Sequence, residues 1–194
     1  MLFALSLIVN FYAGTYATEQ ASNPVTEIIL GNIPTFDIDS LFVYGTIVFW
    51  IFIGILCLSR PQRIPFTLKT LGLFIFLRSI FISLTHIGPF PTQIAIYSNV
   101  VSKFAFGGDL FFSGHTGLPF LLALIFWDKK YLRYLFITAS LFFGGVVLLG
   151  HLHYSIDVFS AFFITYTIYH LSKIFFKRDH QIFKTGLNES SSAK

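Results

Sequence analysis

Two short stretches of the chain, GGDLFFSGHTG at residues 107–117 and GHLHYSID at 150–157, set polar side chains at the edges of apolar runs. The first offers Asp109, Ser113 and His115, and the second offers His151, His153 and Asp157. His153 and Asp157 are four apart, which on a helix would stack them on one face. A carboxylate so placed accepts a hydrogen bond from one ring N–H and leaves the other nitrogen basic, able to attack phosphorus or accept a proton. His115 follows a Ser-Gly pair at the start of another apolar run, from which it can approach His153. Two histidines suit two roles in phosphoryl transfer: one as nucleophile, the other, protonated, supplying the proton that lets an alkoxide leave.

Arg78 lies inside LGLFIFLRSIFISLTHIGP, where a charge is costly in hydrocarbon unless paired or facing a polar cavity. A guanidinium can grip a phosphate bidentately; the competing use is a structural salt bridge to Asp109 or Asp157. Hydroxyl and backbone N–H groups around Ser113 and Gly114, with Arg78, are placed to stabilise charge on the equatorial oxygens of a phosphoryl group. A rival reading takes His151, His153 and His115 as three zinc ligands. On a helix, however, residues two apart point about 200° from each other, so no metal site and no cofactor are expected. His86 and His170 read as hydrogen-bonded histidines of the bundle, and Cys57, the single cysteine, as packing.

These residues need a membrane scaffold to position them. The chain is 55% apolar and 11% charged, with a mean hydropathy of +0.74, well outside the soluble range. A span needs roughly 20 apolar residues, and the pattern predicts an all-α bundle of six transmembrane helices near 1–17, 41–59, 68–88, 110–127, 131–150 and 153–176. These form a single domain over 1–176, followed by a polar, disordered tail over 177–194. The net charge of +4 resides in short basic clusters between spans, which argues for membrane orientation and against nucleic acid. The 18–40 connection carries Glu19, Glu27, Asp37 and Asp39 and no Lys or Arg, whereas Arg60, Arg63, Lys69, Lys129, Lys130 and Arg133 fall at alternate turns. Both termini are therefore expected in the cytoplasm, with the polar signatures on the periplasmic or lumenal side. Residues 1–17 have a small residue before Thr18, as a signal cleavage site would, but no positive n-region, and are read as a retained span. Asn188 heads a formal glycosylation acceptor that this topology places on the wrong side.

GGDLFFSGHT followed by HYSIDV resembles the paired signatures of sphingomyelin synthases and related ceramide phosphotransferases, within the type 2 phosphatidic acid phosphatase superfamily. Gly108, Asp109, Phe112, Ser113, Gly114, His115 and Thr116 match the first signature; His153, Tyr154, Ser155, Asp157 and Val158 match the second. The resemblance implies that His153 is the nucleophile, that Asp157 orients it and that His115 protonates the leaving group. Substrate contacts are expected at Arg78, Asp109, Ser113, Gly114 and Tyr154. It also implies a phospholipid donor and a lipid-alcohol acceptor, ceramide or diacylglycerol, with water as acceptor in the phosphatase branch. Leu152 stands where the synthases commonly carry an acidic residue, and Val147 where the broader superfamily has an arginine. A non-catalytic lipid binder or transporter is the reading of a different class; the chain lacks the internal repeat that transporters often show.

Overall fold

The structure is a computed structural model that describes residues 1–94 and 110–186. Its described helices are α1 (Leu2–Glu19), α2 (Asp39–Leu58), α3 (Ile64–Leu84), α4 (Gly114–Ile125), α5 (Lys130–Leu149), α6 (Ser155–Phe175) and α7 (Lys177–Thr185), with a 3-10 turn at Pro61–Arg63 before α3. The fold is all-α and multi-pass in character. Among the described residues, four segments are long and apolar enough to cross a membrane: Asp39–Leu58, Pro61–Leu84, Lys130–Leu149 and Ser155–Phe175. Of the six expected spans, α2, α3, α5 and α6 thus have the length and hydropathy of a crossing helix, and α1 and α4 fall short of it. In α1, Asn10, two Thr and Glu19 dilute the hydropathy, and α4 has only 12 residues, roughly 18 Å of helix against about 30 Å of hydrocarbon.

Several boundaries differ from the sequence reading for local reasons. α3 starts four residues earlier than expected because Pro65 suits a first helical turn; it ends at Leu84, where Thr85 turns extended. α4 starts at Gly114 instead of residue 110 because Ser113 is its N-cap, with its hydroxyl oxygen accepting from the Thr116 N–H. Residues 177–185, expected to be disordered, form α7. Its apolar side has somewhere to go: Phe183 packs against Phe66 and Phe126, and His180 stacks on Phe66 at 4.8 Å. Asp179 accepts from Lys69 at 2.6 Å.

The largest core lies between α3, α4, α5 and α6, built on Phe66, Leu71, Phe74, Leu121, Leu122, Phe136, Ala161 and Ile168, with Cys57 packed at its margin as expected. α1 lies along α3 through Ala13, Ala17 and Ile82. Two glycines set how closely α4 can approach its neighbours. A β-carbon on Gly117 would fall 2.7 Å from Phe74 Cζ and 2.8 Å from Thr165 Oγ1, and one on Gly144 would meet Thr116 Oγ1 and Val158 Cγ1 at 3.3 Å. Gly117→Ala therefore lowers stability by about 1–3 kcal/mol, the usual cost of overpacking, read as earlier thermal unfolding in detergent. Gly145→Ala, whose methyl meets nothing within 4 Å, does not lower it.

The helix ends gather at two poles. At one, the 18–40 connection is stitched to the bundle: Ser22 N–H donates to His86 O at 2.8 Å, Gly88 N–H to Asn23 O at 3.4 Å and Phe36 N–H to Leu149 O at 2.9 Å. At the other lie the 3-10 turn, the α4–α5 turn and α7. This alternation is what an up-and-down bundle requires, and it assigns the two signature stretches to the first pole.

Candidate active site

The first-pole cluster is built from the ends of α3, α4 and α6. His153 lies just before α6, in a non-helical turn; the expected helical stacking of His153 on Asp157 does not occur. The two meet because Asp157 sits in the first turn of α6 with its side chain directed back over the helix start. Asp157 Oδ2 accepts from the Tyr154 N–H at 2.9 Å, satisfying a helix-terminal donor, and lies 3.4 Å from His153 Nδ1. The closer partner of Nδ1 is the Leu110 carbonyl, at 2.8 Å. A carbonyl can only accept, so Nδ1 carries the proton and Nε2 is left as the basic nitrogen. His153 is 7% exposed and Asp157 is fully buried. Asp157 Oδ1 finds no hydrogen-bond donor among the described residues.

His115 occupies the first turn of α4, its ring 4.3 Å from that of Phe42 on α2 and 6.4 Å from Phe143 on α5. It lies within electrostatic reach of both His153 and Arg78. Arg78, 8% exposed, is about two turns from the end of α3 and so roughly 9 Å below that pole. Its Nε donates to the Phe112 carbonyl at 2.8 Å, and its side chain lies against Gly114, where an added β-carbon would be 3.4 Å from Nε. The start of α4 is thereby joined to both neighbours: Ser113 N–H donates to Asp157 O at 3.0 Å, and Ser140 Oγ to Thr116 O at 2.7 Å.

The structure thus brings together Arg78, Ser113, Gly114, His115, His153, Tyr154 and Asp157. Two of the expected contacts have other partners. The Ser113 N–H is taken by Asp157 O and its hydroxyl by Thr116, and since Gly117 N–H closes onto Ser113 O, the N–H groups of Gly114 and His115 are those left at the start of α4. The Tyr154 hydroxyl donates to Gly88 O at 2.8 Å and accepts from Val25 N–H at 3.2 Å, which ties it to the loops. Tyr154→Phe accordingly loosens 22–26 and 86–88, seen as faster amide exchange there. It costs about 1–3 kcal/mol because the buried Gly88 carbonyl and the part-buried Val25 N–H lose their partner, while turnover stays within about tenfold. Asp109 lies outside the described residues, and with it the salt bridge to Arg78 weighed above.

Among the described residues no group of three His, Cys, Asp or Glu side chains is arranged to hold a metal ion. His151, the third ligand of the zinc reading, turns elsewhere: its backbone is left-handed at φ 54°, and its Nδ1 lies 2.5 Å from Thr92 Oγ1 and 3.3 Å from Thr35 Oγ1. His86 Nε2 bonds the Ser83 carbonyl at 3.1 Å with its ring against Tyr16. His170 Nδ1 bonds Tyr166 O within its own helix.

Three contributors escaped the sequence reading. The Leu110 carbonyl is a backbone group and has no residue-type signature. Phe42 is one of 26 phenylalanines. Glu27 was read only as part of an acidic loop, yet it accepts from Ser155 Oγ at the start of α6 and from Leu30 N–H at 2.5 Å. Its signal was being a carboxylate opposite a helix N-terminus, which only the folded loop reveals.

Residues 107–174 match the model of the family described as PAP2 superfamily C-terminal, a segment running from the first signature through nearly all of α6. No curated protein and no solved structure matches the chain.

Proposed function

We propose, taking the PAP2 superfamily C-terminal segment as premise, that this chain is a membrane-embedded lipid phosphotransferase of the sphingomyelin synthase-like type, working through a phosphohistidine. The observation that carries the reading is the anchoring of His153 Nδ1 by Leu110 O and Asp157, which fixes the tautomer and leaves Nε2 as nucleophile.

In the first displacement the Nε2 lone pair forms a bond to the donor phosphorus as the P–O bond to the donor alcohol breaks. That oxygen takes a proton from His115. In the second, an acceptor hydroxyl gives its proton to His115 as its oxygen attacks phosphorus, and the P–N bond breaks to restore His153. Arg78 and the Gly114 and His115 N–H groups at the start of α4 face the charge on the non-bridging oxygens, where a helix N-terminus and a guanidinium favour an anion. No step requires a metal ion.

The acceptor decides between transferase and phosphatase. Arg78, His153 and Asp157 are nearly or fully buried, and the 18–40 connection is bonded across the catalytic turn. Restricted water supports a lipid alcohol as acceptor. The test uses purified protein in vesicles with a headgroup-labelled phospholipid, with and without ceramide or diacylglycerol. Label appearing in a new lipid only when the alcohol is added supports the transferase. Label released to water at the same rate in both arms identifies a phosphatase, and no turnover with any donor returns the chain to the lipid-binding class.

A further inference from the structure

At the pole opposite the catalytic cluster, a cleft of about 360 Å³ opens between the end of α4, the last turns of α6 and α7. Its walls are Trp127, Asp128, Tyr169, His170, Lys173 and Lys184. Lys173 Nζ sits 4.7 Å over the Tyr169 ring and has no carboxylate within ion-pair distance among the described residues. Lys184 lies 3.6 Å from Asp128, a pair in which both side chains are more than half exposed, so the carboxylate only weakly offsets the ammonium. Trp127, 47% exposed, stands at the rim, where an indole favours the level of lipid headgroups. The cleft is also where α6 stops being apolar and basic α7 begins, the depth at which a bilayer presents its phosphates.

We propose that this cleft is a second lipid site, distinct from the catalytic one, that takes the phosphate-bearing headgroup of an acidic phospholipid. Two lysines on different helices converge on one cavity, with a single exposed carboxylate against them. This favours an anion over a zwitterion, as basic pockets between helices at a membrane surface do. A phosphate monoester or diester in solution would present the same chemistry; the lipid is favoured because the rim carries a membrane-interface tryptophan. Its acyl chains would lie along the exposed face of α6, where Phe159, Phe163, Tyr166 and Ile174 are uncovered. The inference does not rest on the catalytic reading, since none of the cleft-lining residues belongs to the catalytic cluster.

The only other tryptophan is Trp50, so a Trp50→Phe background makes Trp127 a single reporter. In detergent micelles this protein is titrated with phosphatidylglycerol, with phosphatidylcholine, and with inorganic phosphate or glycerol 3-phosphate. The expected result is a saturable change in Trp127 emission with phosphatidylglycerol alone. That response should weaken roughly five- to thirtyfold in Lys173→Gln/Lys184→Gln, the loss expected for two basic contacts at a membrane surface. It should be nearly unchanged in Lys177→Gln/Arg178→Gln, which removes the same total charge, all of it from α7, without touching the cleft lining. An equal response to phosphatidylcholine, an equal loss in both double variants, or saturation by inorganic phosphate alone would each overturn the proposal. Circular dichroism of each variant keeps an unfolded α7 from being read as a lost site.

Discussion

His153→Ala abolishes both phosphoenzyme and product, with turnover falling about 10,000-fold or more, the scale on which enzymes lose rate when a covalent nucleophile is removed. The size follows from what Nε2 does: it forms the bond that splits one displacement into two, and no described neighbour can replace it. Lipid affinity changes little, because Arg78 and the start of α4 are untouched. The loss therefore appears in the rate and not in the concentration dependence, a split that rate measurements across a donor series in vesicles would read. His153→Gln gives the same result while keeping a polar group against Leu110 O, which excludes a collapsed turn as the cause. A variant retaining a tenth of the activity would remove His153 from the nucleophile's role.

Asp157→Asn lowers the rate by about 100- to 1,000-fold, less than the roughly 10,000-fold seen where a carboxylate alone holds a catalytic histidine. The difference comes from Leu110. Its carbonyl is the nearer partner of Nδ1, 2.8 Å against 3.4 Å for Asp157 Oδ2, so the useful tautomer survives the substitution and only the negative charge is lost. An asparagine oxygen can still accept from Tyr154 N–H, which keeps the start of α6 folded, but its amide NH2 then takes the buried position of Oδ1. An unpaired donor there costs about 1–3 kcal/mol of stability. Asp157→Ala loses the cap as well and is the less informative variant. Single-turnover rates of phosphoenzyme formation, measured beside thermal unfolding, separate the two effects. A rate loss below tenfold would leave Asp157 as a helix cap and nothing more.

The elements were legible where composition alone decides. The apolar runs of α2, α5 and α6 exceed the length of an ordinary core helix, and their positions agree with the expected spans to within about two residues. The sequence reading failed where a local contact overrides the pattern. Ser113 caps α4 from within a stretch that reads as helix. The polar composition of 177–185 hid Phe183, whose partners Phe66 and Phe126 come from distant segments.

At the site, residue types and spacing were enough to gather His115, His153 and Asp157 at one pole, because parity of spans puts the two signatures on the same side. The detailed geometry was not legible. A separation of four residues suggested helical stacking, whereas His153 precedes the helix and meets Asp157 across its first turn. The Nδ1–H donates to a carbonyl of the other signature stretch. Tyr154, matched as part of a signature, also ties the loops together, because the Gly88 and Val25 backbones reach it from segments far along the chain.

In the proposed reaction Nε2 of His153 carries the phosphoryl group between lipids. Its most direct test is to mix the protein in vesicles with a donor phospholipid labelled at phosphorus, quench in alkali within one turnover, and locate the label by peptide mass spectrometry. The expected result is an acid-labile phosphoramidate on His153, at the nitrogen remote from the Leu110 carbonyl, absent in His153→Ala and discharged when ceramide or diacylglycerol is added. Turnover with no labelled histidine, or label on His115 instead, would contradict it.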